Sequence, residues 1–349
     1  MKVFGINNSY TGCAYVRTMM PFLHNGWKTD IKSLYDNKPQ RVGIQHDVAM
    51  SDVVVFHRPD DQERLQMAVK LKKAGKKIVY DNDDTYNVDD GMTMGKFFKK
   101  SAGMLDRFIR YADLVTTTTE FLADEYRKLN PNVVVLPNCV DPDDWDKPLR
   151  NKGNKVRIGI IGSVANNGDS EHIQDLLKEL GNRDDVQLVM FGLQPKKSKL
   201  IKKLYRKEYE YWSKINIEWH PVVPIYDYQD KLNSLELDIA LIPRKDNYFN
   251  RCKSNIKFLE CGMLEIPVVA QSFPDGLSPY DKDLKDESLG LLATTENEFR
   301  NQLEKLIKDK SLRRQIGKNA KKYVLKNYNI KNNYKKWLYA YNQITKQKD

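Results

Sequence analysis

Short apolar runs alternate with longer amphipathic stretches along most of the 349-residue chain. In the first half, residues 2–6, 53–57, 77–81, 114–117 and 133–136 read as strands buried on both faces. Between them, periodicity near 3.6 predicts helices around residues 13–24, 62–73, 95–111 and 120–128. That alternation is the pattern of a parallel sheet with crossover helices. A polar, charged run over residues 143–155 then reads as a linker, and the pattern restarts beyond it. Residues 156–161, 186–191, 217–219, 238–242 and 268–270 predict a second set of strands, with 289–293 as an edge strand. Two helices, 296–308 and 312–327, close this half. A last stretch, 330–346, places Tyr334, Trp337, Leu338 and Tyr341 on one stripe at helical spacing. The expected fold class is α/β with two Rossmann-like domains. In such sheets ligands lie beyond the carboxyl ends of the strands, which directs attention to residues 7–12, His57-Arg58, 81–84 and Thr118-Thr119.

Composition narrows the setting. With 40% hydrophobic and 10% aromatic residues the chain has material for two cores. No apolar run reaches membrane-spanning length and the first apolar stretch is too short for a signal peptide, so a cytoplasmic protein is expected. Cys13, Cys139, Cys252 and Cys261 are scattered without paired spacing, and the five histidines are unclustered; neither a zinc site nor a disulfide framework is indicated. The net charge of +11 is unevenly placed. Residues 300–349 hold 15 Lys and Arg against 3 Asp and Glu, so the other 299 residues sum to about −1. Residues 196–214 form a second basic stretch, 8 against 2. Such patches attract polyanions, either anionic lipid headgroups or nucleic acid; the plainer alternative is a Lys-rich solvated face.

The most informative stretch is 246–270, DNYFNRCKSNIKFLECGMLEIPVVA. Its spacing predicts a short helix with Lys253, Lys257 and Glu260 on one face and Ile256, Leu259 and Met263 on another. Asn250 and Ser254 are cap residues at its start, and Gly262 with Pro267 punctuates its end before a buried strand. Lysines near the first turn, where free N–H groups and the helix dipole already favour an anion, point to a phosphate or diphosphate. Glu260 lies too deep for that anion, but a carboxylate there can accept hydrogen bonds from the vicinal hydroxyls of a ribose. The alternative is a solvated amphipathic helix whose Lys and Glu pair with each other.

Residues 250–270, with DIALIP at 238–243 before them, resemble the donor-binding segment of family-4 glycosyltransferases of the GT-B fold. Those enzymes are retaining and use sugar nucleotides. In them a Glu, seven residues and a second Glu bracket the helix, the second Glu holding the donor ribose. Glu260 matches that second position, and Cys252 stands at the first. A branch carrying Lys-Ser-x-x-Lys fits Lys253, Ser254 and Lys257. Residues 136–141, Leu-Pro-Asn-Cys-Val-Asp, resemble the segment that ends the family's first domain, with Cys139 in place of the usual Gly.

The resemblance implies an acceptor-side domain over 1–146, a nucleotide-sugar-binding domain over 147–328, and a C-terminal helix, 329–349, packing back on the first domain. It implies a UDP- or GDP-sugar as donor substrate, with no essential metal. The donor would be held by Glu260, Lys253, Ser254, Asn255, Arg244, Gly162, Ser163 and the loop ending at Gly12, and Lys257 would stabilise the leaving diphosphate. By order along the chain, Asp81 falls where many relatives place a His that contacts the transferred sugar, with His57 as the alternative.

Asp81, Asp83 and Asp84 put three carboxylates within four residues, which repel one another unless solvent, cations or hydroxyl-rich ligands lie near. A cleft floor binding sugar hydroxyls is the favoured reading, against an Asp-x-Asp metal site or a plain acidic loop. Arg17 either serves an anionic acceptor or pairs with an acidic neighbour. Three functions are in play: a retaining glycosyltransferase acting on a surface glycan or lipid-linked sugar, with the basic patch at an anionic membrane; a glycosyltransferase of hydroxymethylated bases in viral DNA; and a non-catalytic nucleotide-sugar or polyanion binding module in which Cys252 marks lost chemistry.

Overall fold

The computed structural model describes residues 1–8, 11–30, 44–88, 95–162, 168–193 and 210–345, with the backbone alone for 95–101. The first sheet contains β1 (Val3–Asn7), β2 (Lys28–Thr29), β3 (Val53–His57), β4 (Lys77–Asp81), β5 (Leu114–Thr117) and β6 (Val133–Val135), in the order β2-β1-β3-β4-β5-β6. The second contains β7 (Val156–Ile161), β8 (Val186–Phe191), β9 (Glu218–His220), β10 (Ile239–Ile242), β11 (Val268–Gln271) and β12 (Leu291–Ala293), in the order β12-β11-β10-β7-β8-β9. All pairings are parallel. This is the two-lobed α/β architecture expected from the alternation, and β3, β4, β5, β7 and β8 fall where the apolar runs put them.

Both faces of the first sheet are covered, so its strands β1, β3, β4 and β5 are buried along nearly their whole length rather than alternating. On one face Phe4, Ile6, Val54, Phe56, Ile78 and Tyr80 pack against Leu65, Phe108 and Leu122 from three crossover helices. On the other, Val3, Val53, Val55 and Val79 meet Met20 and Phe22 of the first helical run and Trp337, Tyr341 and Ile344 of the helix Lys335–Thr345. Trp337 is fully buried, and Tyr341 stacks on Trp27 with ring centroids 5.4 Å apart. The last helix therefore crosses back from the second sheet to complete the core of the first.

Three differences from the sequence reading are local. Strand β2, only two residues long, carries no pattern to detect. The helical run 12–25 is not uniform: Tyr15–Met19 closes in π fashion, and its buried residues are Arg17 and Thr18. Such an inserted turn rotates side chains off the 3.6-residue register. The expected helix 330–346 breaks at Tyr334 into Ile330–Asn333 and Lys335–Thr345. The basic stretch 196–214 lies outside the described residues up to 209. No described helix is long and apolar enough to cross a membrane.

Replacing Trp337 with Ala should leave a large cavity under β3 and β4 and cost about 3–5 kcal/mol of stability. Urea unfolding monitored by circular dichroism reads this directly, and an unchanged midpoint would show that the returning helix is not part of the first lobe's core.

Candidate functional site

Strand order reverses between β7 and β10, the switch point where an open parallel sheet leaves a crevice beyond its carboxyl ends. Gly162 follows β7, and Arg244 follows β10 after Pro243. Both line a cavity of about 450 Å³ between the lobes. Across it stand Thr11, Gly12, Tyr15, Asp83, Asp84 and Asn138 of the first lobe. Gly192, after β8, shares the floor with Gly162. Its φ is +109°, and a Cβ there would sit 2.1 Å from the Gly162 carbonyl oxygen, so only glycine fits and bare backbone faces the cavity. Gly12 lines the opposite wall, where an added Cβ would meet Ile225 Cδ1 at 3.4 Å.

The single helix expected between Asn250 and Gly262 is two helices, Tyr248–Arg251 and Ile256–Met263. Asn247, not Asn250, caps the first, accepting from the Asn250 backbone N–H at 2.8 Å. Tyr248 and Cys252 are drawn into the core cluster of the first lobe, where the Tyr248 hydroxyl donates to Glu125 Oε2 at 2.7 Å, and the backbone leaves helical geometry to allow it. Ser254 caps neither helix. Lys253 lies in the break, off the face of Glu260, and its Nζ donates to Asp84 Oδ1 across the cleft at 2.6 Å. Cys252, at the position of the family's first Glu, is fully buried and does not line the cavity.

Lys257 and Glu260 do line it. Lys257 Nζ donates to Glu260 Oε2 at 2.8 Å and to the Tyr228 hydroxyl at 2.9 Å, and Tyr228 donates in turn to Oε2 at 2.7 Å. Burial alone would lower the Lys257 pKa, but the Glu260 charge and the Tyr228 oxygen outweigh it and hold the ammonium above its ordinary value. Burial, reinforced by Glu260, pushes the Tyr228 hydroxyl up, so it stays a donor. Glu260 Oε1 makes no hydrogen bond to any described residue, leaving one carboxylate oxygen for a ligand. Arg244 donates from Nη1 to Asp169 Oδ2 at 2.8 Å, while its buried Nε has no partner. One expected donor contact is not brought here, and another cannot be placed. Asn255 turns away and donates to Asp283 Oδ2 at 2.6 Å, and Ser163 lies outside the described residues.

The structure corrects the readings of Asp81 and His57. Both end their strands as register partners and point into the sheet interior rather than over its edge. Asp81, fully buried, accepts from Arg17 Nη2 at 2.7 Å and Nε at 3.2 Å and from the Thr116 hydroxyl at 2.6 Å. Arg17 thus serves an acidic neighbour, not an acceptor. His57 is equally buried, its Nε2 3.7 Å from Asp83 Oδ1 with no hydrogen bond to either ring nitrogen. The part of the acidic run that reaches the cavity is Asp83 and Asp84, and the chain supplies their counter-ions: Arg58 pairs with both, Lys253 with Asp84. Although burial opposes it, Arg58 and His57 hold the Asp83 carboxyl well below the ordinary range. Among the described residues no cluster of His, Cys, Asp or Glu is arranged to hold a metal.

Sequence reasoning missed Tyr228, Gly192 and Tyr15. Tyr228 sits in a polar helix with no motif around it, and only its stacking on Phe191, 5.4 Å between centroids, and its bonds to Lys257 and Glu260 mark it. A Gly directly after a predicted strand was the available signal for Gly192.

In fold the chain stands among the GT-B glycosyltransferases. Residues 170–339 match the family model described as glycosyl transferase-like. Sucrose-phosphate synthase of Thermosynechococcus elongatus superimposes with a TM-score of 0.68 over 99% of each chain at 13% identity. Anabaena HepE, solved with UDP and glucose, does so with a TM-score of 0.68 over 98% of this chain and 99% of its own, also at 13% identity. TarM gives 0.59 at 15% identity over 83% of this chain, which spans 54% of the length of TarM. No curated protein matches in sequence.

Two outcomes test this geometry. Asp81→Ala strands the buried Arg17 charge and should cost about 3–5 kcal/mol in a denaturant titration, where an exposed sugar-binding Asp would cost little. Burial pushes the thiols of Cys13, Cys139 and Cys261 up to about 12 and raises that of Cys252. A thiol reagent at about pH 8 should therefore label the native protein slowly and all four cysteines rapidly after denaturation.

Proposed function

We propose that the protein is a retaining glycosyltransferase. It binds a UDP- or GDP-sugar in the second lobe, over 147–328, and presents the sugar to an acceptor hydroxyl held against the first, over 1–146. The observation that carries the reading is the position of Glu260: its carboxylate lies in the interlobe cavity, anchored on one oxygen by Lys257 and Tyr228 and unengaged on the other. A ribose diol is a matching guest for that free oxygen. The Gly162 and Gly192 backbone suits a diphosphate, which needs close backbone approach, and Arg244, lining the same cavity, supplies positive charge.

In this reading the acceptor oxygen bonds to the anomeric carbon on the face from which the diphosphate departs. The bond between that carbon and the diphosphate oxygen breaks, its electron pair stays with the phosphate, and the acceptor proton passes to a phosphate oxygen. Lys257, held charged by Glu260, and Lys253 stabilise the negative charge that develops on the leaving group. Cavity closure excludes water and limits donor hydrolysis. The acceptor is a surface glycan or a lipid-linked sugar, and the basic residues of Lys310–Asn327 suit an anionic membrane surface.

Glu260→Ala should weaken binding of a nucleoside diphosphate by about 10–100-fold, the worth of hydrogen bonds to a charged group. Lys257→Met should lower kcat more than it raises KM. Calorimetric titration with UDP and GDP, followed by turnover on a sugar-nucleotide panel, checks both. Wild-type affinity and turnover in Glu260→Ala would remove the donor assignment.

A further inference from the structure

The buried pair of Arg17 and Asp81 does not end at the carboxylate. Arg17 Nη1 also donates to the Leu136 carbonyl and to Asn138 Oδ1, the latter at 3.3 Å. Asn138 then donates from Nδ2 to Ser254 Oγ at 2.9 Å, crossing from the first lobe to the second. The direction of this chain follows from chemistry. A guanidinium has five N–H donors and no acceptor, so the group facing it must be the amide oxygen and not the amide nitrogen. Once Oδ1 faces Arg17, Nδ2 faces Ser254, and the serine oxygen must accept. Its own proton then has to go elsewhere. No described residue accepts it, and Ser254 lines the cavity between Lys253 and Lys257.

We propose that Arg17 and Asn138 are positioning residues that set the Ser254 hydroxyl as a hydrogen-bond donor into the cleft, toward a phosphate oxygen of the donor nucleotide. The inference rests on the nucleotide-sugar reading of the cavity and deepens it. Asp81 and Thr116 hold the guanidinium still, Arg17 orients the amide, and the amide orients the serine. The relay also ties the lobes together. An anion that accepts from Ser254 engages a side chain whose orientation is dictated from the opposite lobe, so diphosphate binding favours the closed arrangement that the Asn138–Ser254 bond requires. A ligand without phosphates gains nothing from it.

Calorimetric titration of the full-length chain with UDP and GDP, each beside its nucleoside, tests the relay. Ser254→Ala should weaken the diphosphate about tenfold and leave the nucleoside unchanged, and Ser254→Thr, which keeps the hydroxyl, should retain most of the affinity. Asn138→Ala should weaken the diphosphate in the same direction, yet add no further loss in the Ser254→Ala background, because both act through one proton. An Asn138→Ala effect that persists undiminished without Ser254, or that extends equally to the nucleoside, would make Asn138 a merely structural residue and overturn the proposal. Wild-type diphosphate binding with an unaffected Ser254→Ala would overturn the relay but not the donor reading. If the wild type binds neither UDP nor GDP, both fall together.

Discussion

A parallel sheet delivers the ends of all its strands to one edge, and the backbone groups and loops at that edge need partners that the sheet cannot supply. Two such sheets facing each other across a gap create a single place where glycines, loop carboxylates and helix starts converge. In this protein the gap receives Gly162 and Arg244 from the switch point of the second sheet and Thr11 to Tyr15 from beyond β1 of the first. Every candidate functional group follows from that placement. The chain also crosses twice between the lobes: the helix Lys335–Thr345 returns to complete, with Met20 and Phe22, the cover of one apolar face of the first sheet.

Charge is handled differently at two depths. Below the cleft, Arg17 and Asp81 are fully buried and pay their desolvation by forming a bidentate pair with Thr116, Leu136 and Asn138 as further partners. At the cleft surface the ions are only partly covered. Arg58 and Lys253 neutralise Asp83 and Asp84, and Lys257 neutralises Glu260, while Glu260 Oε1 stays unengaged. The interior pair rigidifies; the surface groups keep capacity for a ligand. Arg58 reaches its two carboxylates from a backbone φ of +50°, a left-handed conformation unusual for a non-glycine residue, at a turn directly after β3.

One contact across the cleft is made by the segment that the sequence marks as most functional. Its helix breaks where Cys252 is buried in the other lobe and Tyr248 packs half-buried against that core, and the break places Lys253 to bridge to Asp84 and Ser254 to meet Asn138. The cysteine in the place of the family's first Glu is thus a packing residue here, beside Glu125. The carboxylates that reach the cavity opposite Lys253 come from the first lobe instead.

Local pattern determined a great deal of this protein. Apolar runs five or six residues long located the buried strands because a strand covered on both faces has no polar alternation to blur its ends, and Glu260 with Lys257 could be placed on one helical face by spacing alone. Side-chain direction at strand ends and helix breaks was decided only by the tertiary structure. Asp81 and Asp84 are three residues apart in the same acidic run, yet one is sealed beneath the sheet edge and the other lines the cleft. Nothing in the run distinguishes them, because the distinction is made by Arg17, rotated inward by a π turn, and by Lys253, brought from the opposite lobe. The Arg17–Asp81 pairing depends on how a helix packs on the first sheet, and the Lys253–Asp84 pairing on how the two sheets meet; both are properties of packing and not of any stretch of the chain.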